Sequence, residues 1–337
     1  MIYYIPLENM EQRYTRMMNN QFERHADFCL YPTTFEYSDT IETGQFLDIN
    51  KTCIFKAMQL EIISKMFYNK EIKNGDIFIV GDIFFPGIEM LRYMAELQNI
   101  VIKIYGFNYA GRADETDFVR RLGKWSDFSE EGYLSICDGI FVGSANHRKN
   151  IMKYFPDLEF EVPIYVTGYI WSVAWNLSIC SRSIKKKDYV IFPHRLSKEK
   201  GLSGFLKFCS KNPEKKIIIT SGGNRQEIDL PPNVEYRTNL NKYQYLKIMS
   251  EAKYYLSTAY QETFGYTLQE AILYGCQILV PNRACYPEMV PERNLYETIE
   301  ETTRLFEGGL TVPPKYTFRW DNNVASIMDL IKLRELK

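Results

Sequence analysis

Two basic residues in the second half of the chain have the spacing needed to hold phosphate groups. Arg195 and Lys200 lie in a loop between a predicted strand and a predicted helix that begins near Gly201. The amides and dipole of a helix N-terminus would add to the attraction of the two cations for a diphosphate. Basic loops are common, so taken alone the pair is more typical of a solvated surface.

Two glutamates eight positions apart make a second cluster, Glu262 in a loop and Glu270 on the helix that follows. Gly265 would let the backbone approach a phosphate, with the amides of Phe264 to Tyr266 turned towards it. Glu270 could accept hydrogen bonds from both hydroxyls of a ribose. The structural alternatives are a helix cap for Glu262 and an exposed helix position for Glu270.

Together the two clusters resemble the nucleotide-sugar half of retaining glycosyltransferases with the GT-B fold. The resemblance implies an α/β protein with two Rossmann-like domains facing a central cleft. It also implies that Arg195 and Lys200 neutralise the donor diphosphate and the leaving group. By the same resemblance Glu270 binds the ribose and Glu262 lies near the transferred sugar.

The resemblance implies a donor site made by both clusters and by the end of one further strand. The implied donor-binding residues are Arg195, Lys200, Ser221, Gly222, Glu262, Phe264, Gly265, Tyr266 and Glu270. A plain turn is an equal alternative for Ser221 and Gly222. Such enzymes commonly need no metal or other cofactor, and the sequence has no Asp-x-Asp motif. The expected donor substrate is a UDP-sugar, such as UDP-glucose or a UDP-pentose.

The N-terminal half is similar to glycosyltransferases of bacteriophages, including those that modify hydroxymethylated pyrimidines in DNA. The resembling stretches are residues 4–8, 13–15, 44–48, 56–59, 81–82, 86–89 and 110–111, with Asp114 and Asp117. The similarity implies modified double-stranded DNA as a partner, in the cytoplasm of a phage-infected host cell.

Acidic and basic residues near position 114 are candidates for the acceptor side. Asp114 could take the acceptor's proton or orient its hydroxyl, and Asp117 could do the same or cap the helical turn after it. Arg112, Arg120 and Arg121 could hold phosphates of a nucleic acid, although each is individually more typical of a surface residue.

Composition excludes several classes of protein. The chain has 337 residues, 45% of them hydrophobic, and a net charge of −1, which is typical of a globular protein without a global field for polyanions. Its seven cysteines form no C-x-x-C pair, and a structural zinc site is not expected. His25, His147 and His194 are expected to be structural, although His194 could also reach hydroxyls of the donor sugar.

Short apolar runs alternate with helical patterns, which predicts parallel sheets covered by helices. Strands are predicted over residues 2–7, 76–80, 100–105, 139–142, 189–192, 216–220, 254–257 and 277–280. Helices are predicted over residues 52–67, 87–98, 145–154, 201–212, 242–250 and 265–274, with a helical turn over 117–122. No apolar run is long enough to span a membrane, and the N-terminus does not resemble a signal peptide.

The alternation restarts in the second half, which predicts two domains. We expect an acceptor domain over 1–165, a linker over 166–188, a donor domain over 189–317 and a C-terminal helix over 318–337. The basic run 185–187 is expected to be a solvated part of the linker. A ligand would lie at the carboxyl ends of the strands.

The leading interpretation is a retaining transferase that moves a sugar from a UDP-sugar to a hydroxymethylated base in DNA. One alternative is a transferase acting on lipopolysaccharide, a wall glycan or a small molecule. A sugar-nucleotide epimerase would share the fold but use a different acid/base set. A non-catalytic nucleotide-sugar binder or a DNA-binding accessory protein is disfavoured by the presence of Arg195, Lys200, Glu262 and Glu270 together.

Overall fold

The computed structural model describes residues 1–10, 13–36, 48–158, 162–183, 185–221, 227–306, 308 and 323–335. These residues divide into two compact units. The first unit holds the described residues between 1 and 171 together with the C-terminal helix, and the second holds those between 172 and 308. Gly222 and positions 44–47 of one resembling stretch lie outside the described residues.

A six-stranded sheet, in which every pairing is parallel, forms the centre of the first unit. Its strands are β1 (Ile2–Ile5), β2 (Phe28–Cys29), β3 (Asp76–Val80), β4 (Ile102–Phe107), β5 (Gly139–Val142) and β6 (Ile164–Val166). The helices between them are α1 (Tyr14–Phe22), α2 (Ile49–Tyr68), α3 (Met90–Leu97), α4 (Trp125–Ser135) and α5 (Ala145–Tyr154). The strand order is β2-β1-β3-β4-β5-β6.

The core of the first unit follows from this layering. Phe78, Ile104 and Ile140 are fully buried on central strands, and Ile63 of α2 and Leu91 of α3 belong to the same apolar cluster. Parallel strands read as continuous apolar runs because helices cover both faces of the sheet.

The second unit repeats the architecture with a second parallel sheet, in the order β12-β11-β10-β7-β8-β9. Its strands are β7 (Lys187–Phe192), β8 (Lys216–Ser221), β9 (Val234–Thr238), β10 (Ala252–Leu256), β11 (Gln277–Pro281) and β12 (Leu295–Tyr296). Its helices are α6 (Val173–Ile179), α7 (Leu202–Lys211), α8 (Lys242–Glu251), α9 (Tyr266–Tyr274), α10 (Tyr286–Met289) and α11 (Glu301–Phe306). The last helix of the chain, α12 (Asn323–Glu335), belongs to the first unit.

Each sheet contains one point at which the strand order reverses. In the first unit the chain moves outward from β1 to β2 and then returns to place β3 on the other side of β1. In the second unit it moves from β7 through β8 to β9 and then places β10 beside β7. In open parallel sheets, ligands bind beyond the carboxyl ends of the strands at such reversals.

The predicted pair of parallel α/β units is confirmed. Residues 166–188, which were expected to be a linker, hold the last residue of β6, all of α6 and the first residues of β7. β6 has three residues and α6 seven, so neither is long enough to show a period in the sequence.

Lys186 in the basic run is also not a solvated linker residue. Its Nζ donates to the carbonyls of Ser250 (2.8 Å) and Tyr274 (2.7 Å), at the ends of α8 and α9. A cation at two helix C-termini donates hydrogen bonds to carbonyls that have no partner within the helix, and it interacts favourably with the negative ends of both helix dipoles. None of the helices in the described part of the chain combines the length and apolarity that a bilayer crossing needs.

Candidate functional site

The loop after β7 carries both predicted cations and is fastened to the loop after β10. Gly201 ends the short 3-10 turn Lys198–Lys200 and begins α7 with a left-handed φ of 73°. Thr258 Oγ1 donates to the carbonyls of Lys200 (2.9 Å) and Gly201 (3.1 Å). A Cβ at Gly201 would overlap the carbonyl oxygen of Thr258, so this close approach requires glycine.

Arg195 is held by its own loop and still reaches the surface. One terminal nitrogen of its guanidinium donates to Glu199 Oε1 at 3.2 Å, and Ser197 Oγ donates to the same oxygen at 2.6 Å. The Arg195 side chain is 39% exposed. A guanidinium carries five N–H donors, so most of them remain available for an anion.

Lys200 and Glu262 form a largely buried ion pair that joins the two predicted clusters. Lys200 Nζ lies 3.1 Å from Glu262 Oε2 and also donates to the carbonyl of Gln261 at 3.2 Å. The structure therefore brings Arg195, Lys200 and Glu262 together at one edge of the second sheet, beyond the ends of the neighbouring strands β7 and β10.

The start of α9 lies beside this pair. Glu262 Oε1 accepts the backbone amide of Gly265 at 3.2 Å, which is the capping contact left open as the structural alternative. Gly265 has a left-handed φ of 73° and α9 begins at Tyr266. The rings of Phe264 and Tyr266 meet edge to face, with centroids 5.1 Å apart, and Phe264 is buried. The first-turn amides of a nine-residue helix thus begin next to Lys200 and Glu262.

Glu270 is buried, so the structural alternative given for it, an exposed helix position, is wrong. Its Oε1 accepts Lys242 Nζ at 2.5 Å and its Oε2 accepts the hydroxyl of Tyr245 at 2.5 Å. Burial and then the charge of Glu270 raise the pKa of Tyr245 well above its usual value. Each carboxylate oxygen has two lone pairs, so Glu270 can still accept further hydrogen bonds.

Lys242 and Tyr245 contact the candidate residue Glu270, and the sequence analysis did not single them out. A capping box at Asn241 and Gln244 fixes the start of α8 and so places both side chains on one helical face. That capping pattern is visible in the sequence. The contact of these residues with Glu270 is not visible in the sequence, because α8 and α9 come together only in the folded unit.

His194 is buried at the start of the loop that follows β7. Its Nε2 lies 3.3 Å from the hydroxyl of Tyr255, which also meets Thr267 Oγ1 at 2.9 Å. Burial and then the charges of Lys200 and Arg195 lower the pKa of His194 well below its usual value. The ring is therefore neutral at neutral pH, which suits the structural role expected for it.

The remaining donor-side prediction concerns the end of β8. Ser221 is the last residue of that strand, and Gly222 lies outside the described residues. Across the ranges that the structure describes, no three His, Cys, Asp or Glu side chains are grouped to hold a metal ion.

In the first unit, Asp114 lies in the loop after β4 and is 4% exposed. Its Oδ2 is 3.8 Å from His147 Nε2, and the hydroxyl of Tyr169 meets the other ring nitrogen of His147 at 3.0 Å. Burial lowers the pKa of His147 to about 3, so the ring is neutral and the contact is not an ion pair. These contacts suit the structural role expected for His147.

Arg112 is used inside the same loop. Its NH1 group donates to the carbonyls of Val119 (3.0 Å) and Leu122 (3.2 Å) and to Ser126 Oγ (2.8 Å), and its Nε pairs with Asp127. These contacts favour a role in shaping the loop over the predicted contact with phosphates.

The other acceptor-side candidates differ in exposure. Asp117 Oδ1 accepts the amide of Val119 at 3.0 Å and caps the 3-10 turn Phe118–Arg121, the alternative given for it. The guanidinium of Arg120 lies 4.6 Å from the ring centre of Tyr154, whereas Arg121 is exposed.

Exposed apolar side chains are concentrated around Arg121, in residues 118–128, which we term the aromatic–basic segment. Its exposed apolar residues are Phe118, Leu122, Trp125 and Phe128. Its exposed cations are Arg121 and Lys124, and Lys124 Nζ lies 6.0 Å from the ring centre of Phe128. The segment follows β4 and therefore lies towards the carboxyl edge of the first sheet.

Comparisons with known proteins agree with the two-unit architecture. The sucrose-phosphate synthase of Thermosynechococcus elongatus superposes with a TM-score of 0.71 over 99% of both chains at 12% identity. WaaG, a glycosyltransferase involved in lipopolysaccharide biosynthesis, gives a TM-score of 0.55 over 98% of this chain and 95% of WaaG at 12% identity. The predicted GT-B fold is confirmed, since both units match these structures.

Sequence comparison also finds the tRNA-queuosine alpha-mannosyltransferase of Drosophila melanogaster, 28% identical over 134 residues. The match covers 36% of this chain and 35% of the relative, about a third of each. A model of one family, glycosyl transferases group 1, matches residues 178–298. These residues hold the Arg195–Lys200 loop, Glu262 and Glu270, and with the fold they support a glycosyltransferase of the group 1, GT-B type.

Proposed function

We propose that this protein is a retaining glycosyltransferase that moves a sugar from a UDP-sugar to a hydroxyl of a modified base in a polynucleotide. One observation carries the proposal. Arg195, Lys200 and the first amides of α9 converge at the strand-order reversal of the second sheet, beside Glu262. That arrangement suits a nucleoside diphosphate, and it falls within the matched family region.

In this proposal the donor diphosphate lies against Arg195, Lys200 and the amides of 264–266. Glu270 binds the ribose, with Lys242 and Tyr245 fixing the orientation of its carboxylate. Ser221 and Gly222 border the base. The diphosphate would interact directly with protein cations and with the dipole of α9. Such groups stabilise the negative charge that develops on a leaving group.

The proposed step breaks the bond between the sugar C1 and the diphosphate oxygen and forms a bond from C1 to the acceptor oxygen on the same face. As that bond forms, the acceptor hydroxyl gives its proton to the departing diphosphate oxygen, and UDP leaves with the electron pair of the broken bond. Arg195 and Lys200 stabilise the charge on UDP, so no protein nucleophile is required. Asp114 remains a candidate to orient the acceptor hydroxyl.

The acceptor is proposed to be a hydroxymethylated pyrimidine in DNA. The mannosyltransferase relative supports a polynucleotide acceptor, since its name places its action on queuosine in tRNA. The aromatic–basic segment offers exposed rings for stacking on bases beside cations for phosphates. A base in a duplex would have to leave the stack to react.

The test is transfer of radiolabel from a panel of UDP-sugars to duplex DNA containing 5-hydroxymethylcytosine, with unmodified duplex as control. Label on the modified DNA alone, with release of UDP, is the expected result. Absence of transfer from every donor would reject this acceptor. Donor binding without turnover on any acceptor would favour a non-catalytic nucleotide-sugar binder.

A second candidate acceptor is a glycolipid or cell-surface glycan, and one observation favours it. Exposed Trp125 and Phe128 beside Lys124 and Arg121 are also typical of a surface that lies on an anionic membrane. Sedimentation with vesicles containing anionic lipid distinguishes the two candidates. Strong vesicle binding together with no affinity for DNA would favour the glycolipid.

A further inference from the structure

The strand-order reversal of the first sheet brings together two carboxylates that the donor site does not use. Ile5 pairs with Val80 at the ends of β1 and β3, so the loops that follow start side by side. Glu8 lies in the first loop and Asp82 in the second. The amide of Gly81 donates to the carbonyl of Ile5 at 2.8 Å, which fastens the two loops.

Gly81 favours this close approach. A Cβ at that position would lie 3.0 Å from Ile5 O, 3.1 Å from the hydroxyl of Tyr4 and 3.3 Å from Leu7 N. A larger residue would therefore have to displace backbone atoms of the neighbouring loop and the Tyr4 hydroxyl by a few tenths of an ångström. The two carboxylates are therefore held near each other by a packed backbone.

Glu8 is 7% exposed, and its Oε2 accepts no hydrogen bond from any residue that the structure describes. The loop around it is held by several hydrogen bonds: Asn19 Nδ2 donates to Leu7 O (2.8 Å) and Asn9 Oδ1 (2.7 Å), and Gln59 Nε2 donates to Pro6 O (2.9 Å). A buried carboxylate oxygen without a hydrogen-bond donor costs free energy. A rigid loop that holds such an oxygen is therefore suited to a ligand that supplies the missing donor.

Asp82 is the second carboxylate of this group. Its Oδ1 accepts the amide of Phe84 at 3.0 Å, and Lys56 Nζ donates to the carbonyl of Phe84 at 2.5 Å. Burial and the charge of Glu8 raise the pKa of Asp82, while Lys56 and Arg13 oppose the shift. Glu8, Arg13 and Lys56 thus all act electrostatically on Asp82.

These four residues come from four separate stretches of the chain: residues 4–8, 13–15, 56–59 and 81–82. Nothing in the donor site accounts for them. Their meeting at the reversal of the first sheet gives the four stretches one shared location, at the edge where a parallel sheet binds ligands.

We infer that Glu8 and Asp82 bind the uncharged, hydroxyl-bearing part of the acceptor, each carboxylate accepting a hydrogen bond from a hydroxyl or an exocyclic amine. The inference rests on the proposed function. Two carboxylates balanced by two cations give the site little net charge, so it is suited to a neutral polar group and not to a phosphate. A hydroxymethylated cytosine offers both a hydroxyl and an amine as donors.

The test uses Glu8→Gln and Asp82→Asn in the full chain, with Glu96→Gln and Asp157→Asn, two exposed acidic positions of the same unit, as matched controls. Transfer from the UDP-sugar to duplex containing 5-hydroxymethylcytosine is measured against the concentration of each substrate. Each site variant is expected to raise the acceptor KM about 10-fold or more, as loss of a hydrogen bond to a charged group does. The donor KM and the affinity for UDP should stay at the wild-type value, and both controls should match wild type.

Thermal unfolding separates binding from a structural role. Glu8→Gln removes a buried charge whose Oε2 accepts no hydrogen bond from the described residues, so its melting temperature should equal or exceed that of wild type while its acceptor KM rises. Wild-type transfer with an unchanged acceptor KM in both site variants would overturn the inference and leave the proposed function standing. No transfer by the wild-type protein would overturn both.

Discussion

Arg195 and Lys200 alone are weak indications of a phosphate site, and their contacts in the structure strengthen the assignment. Lys200 is tied to Glu262 at 3.1 Å, and Glu262 also holds the amide of Gly265. One carboxylate therefore positions a cation and the first turn of a helix together. The capping role given as the alternative for Glu262 and the position beside a donor sugar are compatible, because its two oxygens make separate contacts.

Replacement of Arg195 or Lys200 by Ala is expected to lower kcat about 100-fold to 1,000-fold, the usual cost of removing one charge-stabilising donor. The fold should persist, because the loop is also fastened through Thr258 and Gly201. Steady-state kinetics and circular dichroism check both statements. Lys198→Ala, an exposed lysine of the same turn, should behave like wild type, and near-normal turnover in both site variants would contradict the donor-site assignment.

Glu130 gives a prediction about pH and stability. Its Oε2 accepts the amide of Arg112 at 2.9 Å, and it occupies the space that a side chain at Gly111 would need. Burial, with the nearby charges of Asp117 and Asp114, raises the pKa of Glu130 to about 7. The folded state therefore holds this proton more tightly than the unfolded chain, and stability falls as the pH rises from about 4.5 to about 7.

The expected decrease in stability between pH 5 and pH 8 from this group is on the order of 2 kcal/mol. Glu130→Gln, which imitates the protonated acid, should remove that part of the pH dependence, as measured by denaturant unfolding at both pH values. Glu131→Gln, at the neighbouring and more exposed position, should keep it. An unchanged pH dependence in Glu130→Gln would show that Glu130 is not the responsible group.

The limits of the sequence at this scale are physical. The family resemblance grouped Arg195, Lys200 and Glu262 in one site, and in the structure they meet because the neighbouring strands β7 and β10 end at one edge. The burial of Glu270 depends on Lys242 and Tyr245 of another helix, and spacing within α9 carries no information about that partner. The same limit applies to Arg112, since its acceptors are carbonyls of its own loop.

At the scale of elements, the clearest sequence patterns were predicted correctly, whereas α1, α4 and β9 were missed although they have nine, eleven and five residues. β3, β5 and α5 were predicted with their observed bounds, because each is a continuous apolar run or a clear helical pattern between turn residues. β2 and β12 have two residues each and were missed. Such edge strands are fixed by pairing with β1 and β11, so their own residues carry little signal.

The aromatic–basic segment is an element whose chemistry became apparent only from its exposure. Replacing Arg121 and Lys124 together by Ala should weaken binding to duplex DNA. It should also reduce the slope of log affinity against log salt by about 2, because each removed cation leaves one phosphate with its counterion. The double variant Lys149→Ala/Lys153→Ala, on exposed positions of α5, is the matched control.

Fluorescence anisotropy at several salt concentrations measures both quantities. A slope that stays the same in the Arg121/Lys124 variant would place the DNA-binding surface elsewhere. A loss of vesicle binding in the same variant, with DNA affinity intact, would assign the segment to a membrane surface.

At the scale of the whole molecule, the two units share one architecture but present different chemistry at their strand-order reversals. The second unit has cations and helix amides there, whereas the first has two carboxylates balanced by Lys56 and Arg13. The alternation of strands and helices predicted the repetition from sequence. The contrast in chemistry could not be predicted, because it depends on which loops the reversals bring together.

This contrast predicts that UDP protects one unit only. At a concentration about 100 times its Kd, UDP should stabilise the second unit by about 2.7 kcal/mol, since it binds the folded state alone. Hydrogen exchange should slow in residues 193–201 and 257–270 and stay unchanged in residues 4–8 and 81–84. Lys200→Ala, measured at the same UDP concentration, should show little of this protection, and Lys198→Ala should show all of it. Protection confined to residues 4–8 and 81–84 would instead place the nucleotide on the first unit and reverse the roles of the two sheets. That result would contradict the charges of the two sites, because carboxylates repel a diphosphate whereas Arg195, Lys200 and the start of α9 attract it.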